Sequence, residues 1–86
     1  MEAQDREWLR ANGHRIKIGV TDTGHHCLEF DDWNVYDATD DFLTEDCEEI
    51  LGECLHYDKD SIWKIVFIES RITRAQVEEV VARISL

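Results

Sequence analysis

Residues 61–69, Ser-Ile-Trp-Lys-Ile-Val-Phe-Ile-Glu, are apolar at both odd and even positions. A strand sends alternate side chains to opposite faces, so a strand of this composition calls for cover on both sides. Its β-branched and aromatic residues favour strand over helix. Everything else in the chain has to be arranged around this central strand. With 86 residues there is room for one domain, spanning 1–86, and for one thin core, because a chain of this size buries only about 60% of its unfolded surface.

The flanking segments supply partners for that strand. Residues 4–12 read as a short helix anchored by Trp8 and Leu9, with Asn12-Gly13 as its stop. Arg15 to Val20 alternates, with Ile16, Ile18 and Val20 on one face, and Thr21-Asp22-Thr23-Gly24 is a turn signal. His26, Leu28 and Phe30 alternate against Cys27 and Glu29, which gives an antiparallel hairpin that Asp31-Asp32 ends or bulges. Trp33 to Tyr36 reads as a short third strand or as a continuation of the second. Residues 41–56 carry Leu43, Cys47, Ile50, Leu51, Cys54 and Leu55 at helical spacing, with Thr39, Asp40 or Thr44 as its cap. Gly52 falls on the exposed side of that helix, where glycine costs about 1 kcal/mol relative to alanine. Thr73-Arg74-Ala75-Gln76 is a capping box opening a last helix, with Ile72 and Val77 placed as a hydrophobic staple. The expected fold is α+β: a small, mostly antiparallel or mixed sheet of three to four strands, two main helices packed on it, and a short N-terminal helix.

Charge is segregated. The chain carries a net charge of −11. Residues 1–28 hold four acids and four bases, and residues 61–86 hold three acids and four bases; residues 29–60 hold thirteen acids and one base, Lys59. Charge of that density repels nucleic acid and acidic membranes and attracts basic surfaces, which in cells are mostly nucleic-acid-binding sites. Glu45, Glu48, Glu49 and Glu53 fall opposite the apolar stripe of the 41–56 helix, and Asp31, Asp32, Asp37, Asp40 and Asp41 crowd its approach. Like charges four apart on a helix cost a few tenths of a kcal/mol per pair, and no lysine relieves them. Trp33, Tyr36 and Tyr57 stand beside these acids as aromatic contacts for an arginine-rich surface. The plainer alternative is a solvated acidic face with Trp33 and Tyr36 capping the sheet.

Other chemistries find little support. The candidate metal ligands His14, His25, His26, Cys27, Cys47, Cys54 and His56 show neither C-x-x-C nor H-x-x-x-H spacing, and no cofactor is expected. The segment Asp37 to Phe42 lacks the glycine that a calcium loop requires at its sixth position. No nucleophile elbow, phosphate-binding glycine loop or dinucleotide fingerprint is present, and a thin core leaves little space for a substrate cavity; the chain is not expected to be an enzyme. Three cysteines without an export signal point to reduced thiols and a cytoplasmic location, that of the host if the chain is phage-encoded.

In size, acidity and lack of an active-site motif the chain resembles small acidic inhibitors that imitate nucleic acid, among them phage anti-CRISPR proteins, nuclease immunity proteins and restriction-blocking decoys. That resemblance is one of kind and rests on no shared residue pattern. It implies a viral or defensive inhibitor whose partner is a basic nucleic-acid-binding protein, with no direct contact to nucleic acid or membrane. The alternative is a small structural or regulatory module that pairs through its sheet edge or as a homodimer.

Overall fold

The computed structural model describes residues 2–85, with all side chains in that range except those of Glu48 and Glu49. It is an α+β fold. The elements are α1 (Ala3–Asn12), a 3-10 turn (Gly13–Arg15), β1 (Lys17–Val20), β2 (His26–Phe30), α2 (Trp33–Asp46), a single-turn α3 (Glu48–Leu51), β3 (Cys54–Lys59), β4 (Ile62–Phe67) and α4 (Arg74–Ile84). The four strands form one fully antiparallel sheet in the order β1-β2-β4-β3.

β4 is flanked by β2 and β3, so the segment expected to be central is central. The cover expected on both of its sides is found on one only. Trp63, Ile65 and Phe67 point into the core beside Leu28 and Phe30 of β2, while Ile62 on the other face is exposed. The same core takes Leu9 from α1, Val35, Tyr36, Phe42 and Leu43 from α2, Leu51 from α3, and Val77, Val80 and Ile84 from α4. The domain is therefore a helical layer on one face of a sheet whose other face is open, and its shortest dimension is 18 Å. Each fully buried aliphatic or phenyl side chain contributes about 1.5–3 kcal/mol.

Two elements differ from the sequence expectation. Residues 33–36 are not a strand. Asp32 is extended and its carboxylate accepts the Asn34 N–H at 3.1 Å, so it caps a helix that begins at Trp33. None of Thr39, Asp40 and Thr44 is the cap. The helix buries Val35, Tyr36, Thr39, Phe42 and Leu43, a helical stripe interrupted in the sequence by one threonine. The 41–56 helix does not run its expected length. α2 ends at Asp46, and the one-turn α3 closes on Cys47, whose carbonyl accepts the Ile50 and Leu51 N–H groups. Gly52 then takes a left-handed φ of +64°, which ends helical propagation. Cys54, Leu55 and His56 belong to β3.

Two glycines are fixed by their neighbours. A β-carbon on Gly52 would collide with the Glu69 carboxylate, which accepts the Glu53 N–H at 2.7 Å and is held by Arg71 at 3.0 Å. Those two donors hold the Glu69 carboxyl below its usual range. Gly13 is right-handed, not the left-handed stop expected at the end of α1; a β-carbon there would meet Ile84 Cγ2 at 3.0 Å, so it allows the close approach of α1 to α4. Arg6 joins the same elements. Its guanidinium lies 4.7 Å from the Phe42 ring centroid, and it donates to the carbonyls of Ile84 and Arg83 at the end of α4.

The Thr73/Gln76 capping box forms as expected, and β1 and β2 form the expected hairpin. β3 and β4 form a second hairpin closed by Asp60 and Ser61, both left-handed at φ of 56° and 62°.

Three substitutions separate these assignments by measurement. Asp32→Ala will lower unfolding free energy by about 1 kcal/mol in urea titrations, whereas Thr44→Ala will change it by less than about 0.5 kcal/mol. Gly52→Ala will destabilise by about 1–2 kcal/mol, the cost of a side chain in the left-handed region, where an exposed helical glycine would have gained stability on the same change.

Candidate functional site

The acids proposed from the sequence do not form one surface. Asp31 and Asp32 stand at the start of α2 and pair with Arg15, at 3.2 Å and 3.8 Å. They hold the turn between β2 and α2. Asp40 points toward the sheet, where its carboxylate meets His56 Nε2 at 2.5 Å. Tyr36 is in the core at 8% exposure, edge-on to Phe30 with ring centroids 5.6 Å apart. It is a packing residue, not a surface contact, because the helix that replaced the expected strand turns it inward. Burial pushes its phenol pKa up, reinforced by Asp40 and Asp58. Glu53 is exposed and sits beyond α3, just before β3. Glu48 and Glu49, also expected here, lie outside the described side chains.

What remains is a ridge. Asp37, Asp41 and Glu45 are spaced four and four along α2. Successive members lie roughly 6 Å apart, and the ridge spans about 12 Å at a rise of 1.5 Å per residue. α1 packs alongside and adds Asp5 and Trp8, so that Asp5, Trp8, Asn34, Asp37, Ala38 and Asp41 line one open groove. Trp8 is 41% exposed; it edges the groove and is not the core anchor expected of it, a role that Leu9 fills alone. Trp33, 46% exposed, stands one turn before Asp37. Asp5 and Trp8 were missed because residues 1–28 are electrically neutral as a segment; only the packing of α1 on α2 brings an acid from that segment to the ridge.

The electrostatics agree with this geometry. The Asp41 carboxyl is raised above its usual value, first by desolvation and then by Asp37, Asp40 and Glu45. Two unit charges 6 Å apart in water repel by roughly 0.7 kcal/mol. The helical layer also lacks lysine. All three lysines, Lys17, Lys59 and Lys64, lie on strands, at positions that the sheet register places on the open face; Lys64 approaches Glu29 at 3.9 Å. The acidic excess thus sits on α2 and α3, the bases of α1 and α4 are arginines, and the open sheet side gathers the lysines.

A second constellation lies between α2 and β3, where Asp40, Leu43, Leu51, Cys54 and His56 border a cavity of about 200 Å³. Cysteine, histidine and carboxylate occur together, but the thiol is not prepared for attack. Burial, then Asp40 and Glu69, push Cys54 up to about 11; a reactive cysteine needs the opposite shift. Burial also raises the Cys27 and Cys47 thiols. Among the described residues no three His, Cys, Asp or Glu side chains converge to hold a metal ion, and no helix is long and apolar enough to cross a membrane.

Comparison with known protein families, curated proteins and solved structures finds no match to this chain.

Asp41 gives a pH test of the ridge. Its folded pKa is raised, so the folded state binds more protons between the unfolded value of 3.8 and the folded one. Stability therefore falls as pH rises through that window. Asp41→Asn will raise the thermal midpoint at pH 7 by a few degrees or less, as suits an exposed site, and the gain will disappear below about pH 4. Calorimetry at the two pH values checks both halves.

Proposed function

We propose that this protein is a binding inhibitor, acting through the acidic groove of α1 and α2 on a basic nucleic-acid-binding protein. The observation that carries the reading is the Asp37–Asp41–Glu45 ridge joined by Asp5 across the groove, flanked by exposed Trp8 and Trp33. Carboxylates roughly 6 Å apart along a helix form a line of negative charge, as phosphates do along one strand of a nucleic acid. The exposed indoles supply flat surfaces on which guanidinium groups stack. Repulsion from its acidic neighbours raises the energy of the ionised Asp41, and a cationic partner relieves it.

The mechanism is occlusion. A surface that fills an Arg/Lys groove denies it to the nucleic acid, both sterically and by cancelling the field that draws nucleic acid in. No chemical step is required of any residue. Asp31, Asp32 and Tyr36 act indirectly, by fixing the start and the inward face of α2.

Retrieval of proteins from nuclease-treated lysate by the full chain tests this. Basic nucleic-acid-binding proteins will be retained at low salt and released at high salt, because exposed charge pairs are screened within about 10 Å at 0.1 M. The variant Asp37→Lys/Asp41→Lys/Glu45→Lys will lose them while keeping the wild-type circular dichroism spectrum. Retention of the same proteins by that variant, or retention that ignores salt, overturns the reading.

A further inference from the structure

β3 is an outer strand of the sheet, paired with β4 alone. All of its residues from Leu55 to Lys59 are exposed. Unpaired outer strands template further pairing, and proteins blunt them with prolines, bulges or inward charges. β3 has none of the first two: the chain contains no proline, and the β3–β4 register runs unbroken from Cys54↔Phe67 to Lys59↔Ile62.

The backbone polarity of the edge follows from one bond. The Ile68 N–H donates to the Glu53 carbonyl, so Glu53, Leu55, Tyr57 and Lys59 turn their backbone groups toward β4. Antiparallel pairing alternates; Cys54, His56 and Asp58 therefore present N–H and C=O to the free edge. Side-chain alternation puts Glu53, Leu55, Tyr57 and Lys59 on the open face and Cys54, His56 and Asp58 on the helical side.

We propose that two copies of this chain pair antiparallel through β3, with the two-fold axis at His56, to form a continuous eight-stranded sheet. The register is chosen by complementarity. With His56 opposite His56 of the second copy, Cys54 faces Asp58, and each facing pair exchanges both of its N–H···O bonds. On the open face Leu55 meets Tyr57, and Glu53 meets Lys59. An isologous interface needs a self-complementary patch, and this sequence reads acid-apolar-apolar-base along one face. Shifting the axis by one residue places Leu55 against its own copy and Glu53 against Tyr57, or Tyr57 against its own copy and Leu55 against Lys59; both shifts lose the ion pairs. Leu55 and Tyr57, 58% and 43% exposed in the single chain, then cover one another across the joint. The other outer strand, β1, is four residues long against six for β3 and presents a glycine to the open face.

Two molecules of net charge −11 repel at long range, so this pairing strengthens with salt. The acidic-groove reading requires salt to weaken binding. The two proposals therefore respond in opposite senses and fail separately.

Sedimentation equilibrium of the full chain from micromolar to millimolar concentration tests the pairing. The average mass will rise from 10.1 kDa toward twice that value, and the dimer constant will tighten about tenfold between about 0.02 M and about 0.5 M salt. Glu53→Lys or Lys59→Glu alone will weaken it by about tenfold, and the double exchange will restore it, as oppositely charged cross-strand neighbours do. In amide exchange by NMR, Cys54, His56 and Asp58 will gain protection with concentration, while Leu55 and Tyr57 are protected throughout. A chain that stays monomeric at millimolar concentration and high salt overturns the proposal. So does a dimer that protects Ile18 and Val20 in place of β3, or one indifferent to the charge exchange.

Discussion

All three longer helices and the single-turn α3 rest on one apolar layer, because only one face of the sheet is covered. Leu28, Phe30, Ile65 and Phe67 supply the sheet's half of that layer, and among the described residues no second core cluster shares the load. This explains why so many contacts converge where helices meet each other. Arg6 lies against Phe42 of α2 and reaches the last carbonyls of α4. Gly13 lets the end of α1 approach Ile84. The Glu69–Arg71 pair grips the turn after α3, with Arg71 also donating to the Ile50 carbonyl at 2.9 Å. In a thin domain, polar clamps of this kind set the angles that a larger core would set by volume alone.

The same one-sidedness organises charge. The helical layer carries the Asp37–Asp41–Glu45 ridge on α2 and its bases as arginines on α1 and α4, while the lysines map to the open face of the sheet. Acidic groove and free β3 edge are therefore distinct surfaces built on different elements. His56 and Asp40 tie them, since Asp40 leaves the acidic cluster of α2 to bond a residue of β3.

Periodicity found the β1–β2 hairpin, the central β4 and the capped α4, each of which announces itself locally. It placed a helix over residues 41–51, broken at Cys47, and went astray on either side of it, for identifiable reasons. Trp33, Val35 and Tyr36 have high strand propensity, yet one carboxylate hydrogen bond at Asp32 and burial in the core outweigh it. Thr39 is fully buried and hid the helical stripe, because a polar residue in the middle of an apolar face reads as a break. Farther on, Cys54 and Leu55 satisfied a helical spacing by coincidence; Gly52, read as an exposed helical position, was the stop that distinguished the two readings. The site was legible as a charge density but not as a shape. Asp37, Asp41 and Glu45 stood in the expected region, whereas Asp5 and Trp8 are brought to them only by the packing of α1 on α2, which no local pattern records.

The tip of the β3–β4 hairpin carries a kinetic implication. Asp60 and Ser61 both occupy the left-handed region, the geometry of the tight two-residue turn that asparagine and glycine adopt most readily. Each L side chain there costs roughly 1–2 kcal/mol, so this turn is a poor local nucleus and the hairpin does not close early on its own account. Of its two strands, β4 is held by β2 on one side and by the helical core beneath, contacts distant in sequence. Completing the sheet requires β2 to meet β4 across the whole of α2 and α3. Such a pairing carries a loop-closure cost that a local hairpin does not, and β3, with its free edge, depends for its only sheet partner on β4.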